Sequence, residues 1–443
     1  MNKPVAIVLS RAVTGLETVR CLGTAGIAVH AIYFKKNDPV QFSRYCRATY
    51  FDDASYSDEG LLEYVANYAS ALAPLPIVIP TCDSHALLLA EHSERLRPYC
   101  SVMTANYLNL VEVINKDRLN EWVKGAGLDT IPALVAPSAL QAAEWSRAND
   151  GPYLIKPFYT GVPASRLGKR KNIVLDAPRA LLEFVSEGDM QSLLVQRIIR
   201  GGDGYIFDCY GYCNSEGQVV AMATKRRLHQ NIPHYGTCTM GEIPARLHET
   251  TENSLLANTR KLFKHLPYHG IFGVEWLFER ESGKFYLIDF NARPFMSIGH
   301  VAAAGLNLPL LGYSEMIGND ISPTDPLPRL KHLIGVDLLR DMESFHVKRQ
   351  CGELTTVEWL LSLTRCRYFY YADWRDPAPA IYRALEIFRR VGRYLLTAAI
   401  RSKSAKKESV DDQYRFEGDI EKGDACDSSA DQTCRKSGLQ GLK

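Results

Sequence analysis

Residues 273–293 read GVEWLFERESGKFYLIDFNAR, which is two apolar runs joined by a polar turn that contains Ser282-Gly283. Apolar runs on either side of a glycine-bearing turn are typical of a β-hairpin. The pattern predicts strands over Val274–Phe278 and Phe285–Asn291, with the turn from Arg280 to Lys284. The polar residues of this hairpin carry the sharpest chemical signal in the chain.

Three polar side chains of the hairpin are expected to share one face. Pairing Glu279 with Phe285 fixes the register and sets Glu275 opposite Asp289. Because alternate residues of a strand return to the same face of the sheet, Asn291 projects to that side as well. Two carboxylates and one amide are therefore predicted to cluster at one end of the hairpin.

A divalent cation would explain this cluster, because like charges directly opposite each other on a sheet repel. Mg²⁺ prefers oxygen ligands, takes one or two carboxylates from protein and leaves its other positions to substrate phosphates and water. The set Glu275, Asp289 and Asn291 fits that preference. The simpler alternative is a solvent-facing acidic edge that binds no ligand.

Two lysines upstream would complement a metal-bound triphosphate. Lys156 ends an apolar strand and precedes Pro157, and Lys116 begins a helix. Most lysines are simply solvated, but phosphate oxygens need positive charge around them. The loop Thr160–Pro163, with Gly168 beyond it, is a candidate lid that matches neither a P-loop nor a GxGxxG motif.

Length and charge narrow the class of protein. The 443 residues suggest roughly two to four domains, and the net charge of +2 argues against a dedicated nucleic-acid binder. The eleven cysteines include no CxxC pair, so no zinc motif is predicted. The apolar run Val5–Leu9 is too short for a signal peptide, and no stretch of about 18 apolar residues occurs, which favours a cytoplasmic protein.

The order of the predicted elements indicates an α/β chain. Strands at Val5–Leu9, Ala28–Phe34 and Ile77–Ile79 alternate with helices, which implies a parallel sheet covered by helices. A second α/β unit and a strand-rich third unit follow. Near the C-terminus, Ala380–Ile400 is predicted to be helical, and the chain after Ser402 has the composition of a disordered tail.

Five short motifs, taken in order, resemble those of the ATP-grasp superfamily. They are Asn115-Lys116, Leu154-Ile155-Lys156-Pro157, Val195-Gln196-Arg197-Ile198, Gly273-Val274-Glu275 and Asp289-Phe290-Asn291-Ala292-Arg293. The resemblance covers about residues 5–320. Within the superfamily, the chain resembles the carboxylate–amine ligase branch, which includes D-aspartate ligase-like enzymes and predicted ATP-dependent carboligases.

The resemblance implies a multidomain fold of mixed α/β and α+β class. It places a Rossmann-like pre-ATP-grasp domain at 1–112, followed by a two-lobed ATP-grasp fold. The small lobe with the ATP lid would span 113–200, and the large lobe with the magnesium site would span 201–320. A helical C-terminal extension at 321–401 and a disordered tail at 402–443 would complete the chain.

The resemblance also implies roles for individual residues in binding ATP and Mg²⁺. Arg293 would steady the transferred phosphate as a catalytic residue, and Arg227 would be a second one, although which of Lys225, Arg226 and Arg227 faces the site is open. The metal ligands, for Mg²⁺ or alternatively Mn²⁺, would be Glu275, Asp289 and Asn291. The nucleotide would contact Lys116 and Lys156 through its phosphates, Gln196, Arg197 and Ile198 through its adenine edge, and Asp203 through its ribose.

The activity implied is a ligase that joins a carboxylate to an amine through an acyl phosphate, with release of ADP and phosphate. Phosphoryl transfer needs positioning and charge neutralisation more than a covalent nucleophile. His229, His234 and His300 are candidates for deprotonating the amine. The chain departs from the family pattern at Asp289, where Glu is usual, and at Ala292, where Pro is usual, but neither change removes a required charge.

Three other functions stay open at this stage. A catalytically inactive ATP-binding module with a regulatory role is disfavoured by the intact set Glu275, Asp289 and Asn291. A dinucleotide-dependent oxidoreductase lacks its GxGxxG motif, because the turn after the first strand is Ser10–Gly15. A further possibility is another reaction on the same fold, such as synthesis of a peptide or modification of a sugar carboxylate for an envelope polymer.

The expected partners are a small carboxylate and an amine, with no nucleic acid. The segment Ala380–Ile400 carries four arginines among apolar residues. A basic amphipathic helix of this kind can lie on an anionic membrane, although it more often packs on its own domain. A peripheral membrane contact through 380–400 and a homodimer are therefore expectations to be tested.

Overall fold

The computed structural model describes residues 3–52, 57–157, 165–167, 172–199, 202–231, 236–323 and 329–389. The candidate lid residues Thr160–Pro163 and Gly168, and the tail over 402–443, lie outside them. In the described part, no helix is long and apolar enough to cross a membrane.

The N-terminal part is a five-stranded parallel sheet, as the alternation of strands and helices predicts. Strand β1 is central and fully buried, because apolar residues on both of its faces pack against helices. The strand order is β3-β2-β1-β4-β5. The strands are β1 (Ala6–Ser10), β2 (Val29–Tyr33), β3 (Arg47–Tyr50), β4 (Ile77–Pro80) and β5 (Ser101–Val102), and the helices are α1 (Ala12–Gly23), α2 (Asp58–Ser70), α3 (Asp83–Glu91), α4 (Ser93–Leu96) and α5 (Tyr107–Ile114), with a 3-10 turn at Pro39–Phe42.

A smaller antiparallel sheet follows, with strand order β6-β9-β7-β8. Its core includes Tyr153, Ile155 and Val195 from the strands and Leu181 from a helix. Ser138 caps one helix through a capping box with Gln141. The strands are β6 (Ala133–Val135), β7 (Tyr153–Pro157), β8 (Ile173–Leu175) and β9 (Leu193–Arg197), and the helices are α6 (Lys116–Gly125), α7 (Ala139–Ala148) and α8 (Pro178–Ser186), with a 3-10 turn at Ser165–Leu167.

The third sheet has seven strands in the order β14-β13-β10-β11-β12-β15-β16 and contains the predicted hairpin at one edge. Its pairs are antiparallel except for β15 with β16. The strands are β10 (Ile206–Cys213), β11 (Val219–Asn231), β12 (Thr237–Ile243), β13 (Gly270–Glu279), β14 (Lys284–Asn291), β15 (Leu333–Val336) and β16 (Tyr368–Phe369), and the helices are α9 (Glu249–Phe263), α10 (Ile298–Ala303), α11 (Leu308–Met316), α12 (Leu338–Gln350) and α13 (Thr356–Thr364).

The region after residue 321 is more than a helical extension. Besides α12 and α13 it supplies β15 and β16, which extend the seven-stranded sheet beyond β12. These strands have four and two residues, too few for a periodic pattern to be recognised in the sequence. The region is therefore part of the same packed body as the large sheet.

A buried ionic cluster ties this region to the N-terminal sheet. The Arg20 guanidinium on α1 donates to Asp376 Oδ2 at 3.0 Å and to Glu17 Oε1 at 2.9 Å. Ser43 Oγ and the Arg44 amide also donate to the Asp376 carboxylate, at 2.8 and 2.9 Å. Buried charges need such complete pairing, so the cluster fixes how the two regions meet.

Helical residues continue over 378–389 at the end of the described chain, within the predicted helix Ala380–Ile400. Glu386 accepts a hydrogen bond from Asn37 Nδ2 at 2.9 Å, so one side of this helix faces the N-terminal region. On the opposite side Ile381, Leu385 and Phe388 are 57%, 50% and 74% exposed. These three residues form an apolar stripe, because they are spaced four and three residues apart.

We expect Asp376→Ala to lower the free energy of unfolding by roughly 3–5 kcal/mol, because it leaves the Arg20 charge buried with one partner fewer. Urea denaturation followed by tryptophan fluorescence measures the change. The matched control is Glu59→Ala, which removes an exposed pair with Arg95 and should leave the unfolding midpoint where it is. Equal midpoints for the two variants would contradict the role of the cluster.

Candidate active site

The hairpin forms as β13 and β14, but its register near the turn differs from the prediction. Glu279 pairs with Lys284 rather than with Phe285, so the expected register was wrong there by one residue. Between the pairs Trp276–Leu287 and Glu275–Asp289, a β-bulge adds one residue, Ile288, to β14. Such a bulge shifts the register by one residue and re-aims the side chains that follow it.

The bulge restores the pairing that matters for the site. Glu275 lies directly opposite Asp289, and Asn291 lies opposite Gly273. The Asn291 amide donates from Nδ2 to Glu275 Oε1 at 3.3 Å, and all three polar side chains line one cavity. The predicted cluster of two carboxylates and one amide is therefore present.

A buried charge network lies behind Glu275 on the neighbouring strands. Arg227 on β11 contacts Glu275 Oε2 at 2.5 Å and Asp208 Oδ1 at 2.7 Å. Burial raises the pKa of Glu275, while the Arg227 guanidinium opposes that rise. Burial opposes ionisation of Asp208 too, but Arg227 and Lys225 together hold its pKa below the usual value. Arg227 therefore positions Glu275 and supports its ionised form.

Alternation along β11 settles which of its three basic residues face inward. Lys225 and Arg227 line the cavity, whereas Arg226 donates from Nε to the Gly204 carbonyl at 2.9 Å. The Lys225 ammonium is fully buried and donates to Ser297 Oγ at 2.7 Å. Gly241 on β12 leaves room for this side chain, since a Cβ there would lie 2.5 Å from Lys225 Cε.

The two predicted lysines reach the same cavity from other elements. Lys116, at the start of α6, places Nζ 3.6 Å from Asp289 Oδ1. Lys156, on β7, donates from Nζ to Gln196 Oε1 at 2.8 Å. Burial, reinforced by the charge of Lys116, lowers the pKa of Lys156 to about 7. An anionic ligand would reverse that effect, because it favours the charged amine.

Arg293 is held at the cavity wall by the N-terminal region. Its guanidinium makes a bidentate pair with Asp83, with Nε 2.9 Å from Oδ1 and Nη2 3.0 Å from Oδ2. Asp83 begins α3, so the pair bridges the parallel sheet and the hairpin. Bidentate pairs of this type fix the plane of the guanidinium as well as its position.

The cavity has a volume of about 1110 Å³. Single-ligand pockets typically measure roughly 300–1,000 Å³, so this cavity is large enough for more than one small ligand. Its wall near the small sheet is apolar and includes Ile131, Leu154, Ile199, Leu277 and Ile288. A flat ring system fits such a wall, and charged groups fit the wall lined by the lysines and arginines.

The predicted adenine-edge residues line the cavity, but their contacts restrict the role expected of them. Gln196 Oε1 accepts a hydrogen bond from Lys156 Nζ, and Arg197 Nη2 lies 3.5 Å from Glu279 Oε1. The amides of Arg197 and Ile198 already donate to the carbonyls of Pro132 and Pro152, at 3.0 and 2.8 Å. These two amides are therefore not free to donate to an adenine edge.

Asp203 is the predicted site residue that does not line the cavity in the described part of the chain. Its carboxylate forms an ion pair with Lys348 of α12 and accepts a hydrogen bond from Gln230 Nε2 at 2.8 Å. The preceding residue, Gly202, lines the cavity instead. The sequence could not reveal this, because Lys348 is 145 residues away along the chain.

The histidine candidates lie outside the cavity where the structure describes them. His300 is buried, contacts the Leu333 carbonyl at 3.1 Å, and has its pKa lowered to about 3 by burial and Lys225. His229 pairs through Nδ1 with Asp341 at 3.0 Å. His234 lies outside the described residues. No described residue therefore supports a histidine base at this site.

Sequence reasoning missed two contributions to the cavity. Residues Arg11–Thr14, at the start of α1, line it because ligands in α/β sheets bind beyond the carboxyl ends of parallel strands. That rule could have found them, although the turn lacks the GxGxxG motif. Arg340 of α12 also lines the cavity, and no motif in the sequence points to it.

The residues present suit a hard divalent cation. Among the described residues no three His, Cys, Asp or Glu side chains form a metal cluster, so any ion here relies on two carboxylates and one amide oxygen. Mg²⁺ accepts such a set and completes its shell with phosphate and water. Arg227 orients Glu275 in the way that outer-sphere groups orient metal ligands.

We expect the Lys156 amine to titrate near pH 7, and therefore to be neutral and reactive at pH 8. Competitive labelling with acetic anhydride at a series of pH values, read by peptide mass spectrometry, gives the midpoint. Lys284 is the internal control, because its pair with Asp129 raises its pKa. Lys116→Met should raise the Lys156 midpoint, and a Lys156 midpoint near 10.5 would contradict the assigned environment.

Comparisons with known proteins place these features in a wider context. No family model matches the chain. The carbamoyl phosphate synthase large chain of Pseudothermotoga lettingae is 22% identical over 276 residues, which are 61% of this chain and 24% of that protein. The chain thus spans about a quarter of the length of that relative.

Solved structures resemble the chain over a larger share. The biotin carboxylase–β,γ-ATP complex from Campylobacter jejuni has a TM-score of 0.60 at 16% identity, over 75% of each chain. The N5-carboxyaminoimidazole synthetase from Staphylococcus aureus has a TM-score of 0.58 at 14% identity, over 79% of this chain and 87% of that one. The L-amino acid ligase from Bacillus licheniformis has a TM-score of 0.56 at 15% identity, over 75% and 79%.

Proposed function

We propose that this chain, which has the ATP-grasp fold of the solved structures above, is an ATP-dependent ligase that joins a carboxylate to an amine. The observation that carries the proposal is the meeting of Lys116 and Asp289 at 3.6 Å, with Lys156, Glu275 and Asn291 lining the same cavity. Cations for phosphates and oxygen ligands for a metal ion occur together there. The small acid and amine are the proposed substrates, and the proposed location is the cytoplasm.

The nucleotide is proposed to lie along the small sheet. The apolar wall, which includes Ile131, Leu154 and Leu277, would receive the adenine ring. Lys116 and Lys156 would then neutralise phosphate oxygens, and phosphate binding would recharge the Lys156 amine. Asp203 has no role in this proposal, because its carboxylate forms an ion pair with Lys348.

Glu275, Asp289 and Asn291 are the proposed holders of Mg²⁺, or of Mn²⁺ in its place. The ion would supply neutralisation of phosphate charge during phosphoryl transfer. Arg227 orients Glu275 and favours its ionised form, since the pair at 2.5 Å opposes the rise in pKa that burial causes. We therefore assign Arg227 a positioning role rather than direct contact with phosphate.

The proposed chemistry proceeds in two displacements. A carboxylate oxygen of the acid attacks the γ-phosphorus, the bond to the β–γ bridging oxygen breaks, and ADP leaves. The amine then attacks the carbonyl carbon of the acyl phosphate, phosphate leaves, and one proton is released. Arg293, fixed by Asp83, is the proposed catalytic residue that balances the charge of the transferred phosphoryl group and of the acyl phosphate.

An inactive ATP-binding module and a dinucleotide-dependent oxidoreductase are the competing hypotheses. The first is disfavoured by the intact set Glu275, Asp289 and Asn291, which lines one cavity with Lys116 and Lys156. The second gains no support from the first turn, where the Ala12 amide donates to Asp38 at 3.0 Å and no glycine-rich motif occurs. Release of ADP that depends on an added acid separates the ligase from both.

We expect a screen of amino acids and small carboxylic acids to find acid-dependent ADP release, with Glu275→Gln as the inactive blank. Asp289→Asn should lower kcat/KM on the order of 100-fold, because it removes a charge that acts in the transition state. Its side chain is 43% exposed, so the fold should tolerate the change.

The matched control for that screen is Glu281→Gln, which lies exposed in the turn of the same hairpin and should keep full activity. ADP release that is equally fast in Asp289→Asn would sink the metal-ligand assignment. A screen in which no acid stimulates ADP release would favour the inactive module.

We also propose that the apolar stripe Ile381, Leu385 and Phe388 is a peripheral membrane contact. The support is the exposure of the stripe at the surface together with the arginines that the sequence places at 390 and 393. Arg383 does not contribute, because it pairs with Glu386 at 3.1 Å and stacks over Tyr371.

Co-sedimentation of the full chain with vesicles tests this contact. We expect binding to vesicles that contain phosphatidylserine, little binding to pure phosphatidylcholine, and loss of binding in Leu385→Glu/Phe388→Glu. Leu75→Glu, an exposed apolar residue elsewhere, is the control and should bind normally. If the double variant instead turns a dimer into a monomer in sedimentation velocity and vesicle binding is absent throughout, the stripe is a homodimer contact.

A further inference from the structure

The cavity is also lined by cationic side chains that the proposed nucleotide and metal sites do not use. There are four of them among the described residues, and we call them the cationic group: Arg11, Lys225, Arg293 and Arg340. They come from the N-cap of α1, from β11, from the segment after β14 and from α12. The acidic side chains that line the cavity, within the described residues, are Glu275 and Asp289, and both belong to the proposed metal site.

The partners of these cations differ in a way that points to one of them. Arg293 is satisfied by a bidentate carboxylate, and Lys225 donates to Ser297. Arg340 has weaker contacts. Its Nη1 lies 3.0 Å from the Met296 sulfur, and its Nε lies 3.6 Å from Asp337 Oδ2. A thioether is a weak acceptor, so this guanidinium keeps most of its donor capacity for a ligand.

The helix that carries Arg340 is fixed rigidly to the large sheet. Asp341 accepts hydrogen bonds from Thr239 Oγ1 at 2.6 Å and Trp359 Nε1 at 2.8 Å. Ser344 Oγ donates to the Gln230 carbonyl at 2.5 Å. A binding group on a rigid element is placed more accurately than one on a loop, so Arg340 is suited to selecting a ligand by position.

Apolar groups next to Arg340 limit what can bind there. Met296 contacts its guanidinium, and Phe295 stacks on Tyr210 with ring centroids 3.8 Å apart. Met296, Phe295 and Tyr210 all line the cavity, so a ligand bound to Arg340 would meet apolar surface as well as charge. A short carbon skeleton with an anionic group at each end matches this arrangement of charge, apolar wall and charge.

We propose that the acid substrate is a dianion, and that Arg340 binds the anionic group that does not react. The inference rests on the proposed ligase function, in which the other carboxylate is activated near Arg293. Arg11 adds a positive charge to the lining of the same cavity, which favours a second negative charge over a neutral polar group, whereas the charge of Lys225 is balanced in part by Asp208 Oδ2 at 3.7 Å. Arg340 is thus a specificity-determining residue contributed by the C-terminal region.

Equilibrium binding tests the proposal without requiring turnover. Malonate, succinate, glutarate and adipate are titrated calorimetrically into the full chain saturated with Mg²⁺ and a non-hydrolysable ATP analogue, and each is compared with its monoamide. A phosphonate analogue of each chain length distinguishes a carboxylate from a phosphoryl-type second anion. At least one dianion should bind about 10- to 100-fold more tightly than its monoamide, the range expected for hydrogen bonds to a charged group.

The matched variants are Arg340→Met and Arg349→Met. The first should remove the preference for the dianion and leave monoamide binding as it was, and the second, exposed on the same helix, should bind like the wild type. The proposal is overturned if the dianion and its monoamide bind equally tightly at every chain length. It is also overturned if the preference for the dianion survives in Arg340→Met.

Turnover separates this inference from the ligase proposal. A dianion could bind in an Arg340-dependent way while no acid and amine tested causes ADP release. That result would contradict the ligase proposal and support the binding site alone. ADP release that is equally fast with monoamides and dianions would contradict the dianion proposal and still support the ligase proposal. For a dianionic substrate, Arg340→Met should raise KM about 10- to 100-fold with a smaller change in kcat.

Discussion

Glu275 and Asp289 face each other across neighbouring strands, and their mutual repulsion must be offset by charges from elsewhere in the chain. Arg227 contacts Glu275 at 2.5 Å from β11, and Lys116 lies 3.6 Å from Asp289 at the start of α6. These cations arrive only when the large sheet and α6 have packed together. The same acidic pair therefore organises the site and demands the tertiary structure around it.

The remaining parts of the chain converge on this pair. The N-terminal region holds Arg293 through Asp83, and the small sheet presents Lys156 through Gln196. The C-terminal region brings Arg340 to the same cavity and is anchored to the N-terminal region by the Arg20–Asp376 cluster. A site built from all regions explains why no single motif of the chain is long, since each region supplies one or two groups.

The sequence allowed the hairpin and the parallel sheet to be predicted, because these depend on local periodicity. The two lysines are indicated by their places at the end of a strand and the start of a helix and by the family resemblance, and both line the cavity. The register error near Glu279 did not harm the prediction, since the bulge at Ile288 compensates it by one residue. Asp203 and Arg340 could not be placed in advance. Asp203 pairs with Lys348, and Arg340 is positioned by the packing of α12 against β11. Both depend on contacts between residues more than 100 positions apart in the chain.

We propose that the acidic pair and Asn291 together hold a metal ion that carries nucleotide phosphates. Crystals grown with Mn²⁺ and a non-hydrolysable ATP analogue test it through the anomalous scattering of manganese. We expect an anomalous peak at direct coordination distance from Asp289 and Asn291, with the phosphates next to Lys116 and Lys156. An ordered nucleotide whose manganese lies away from these side chains would contradict it.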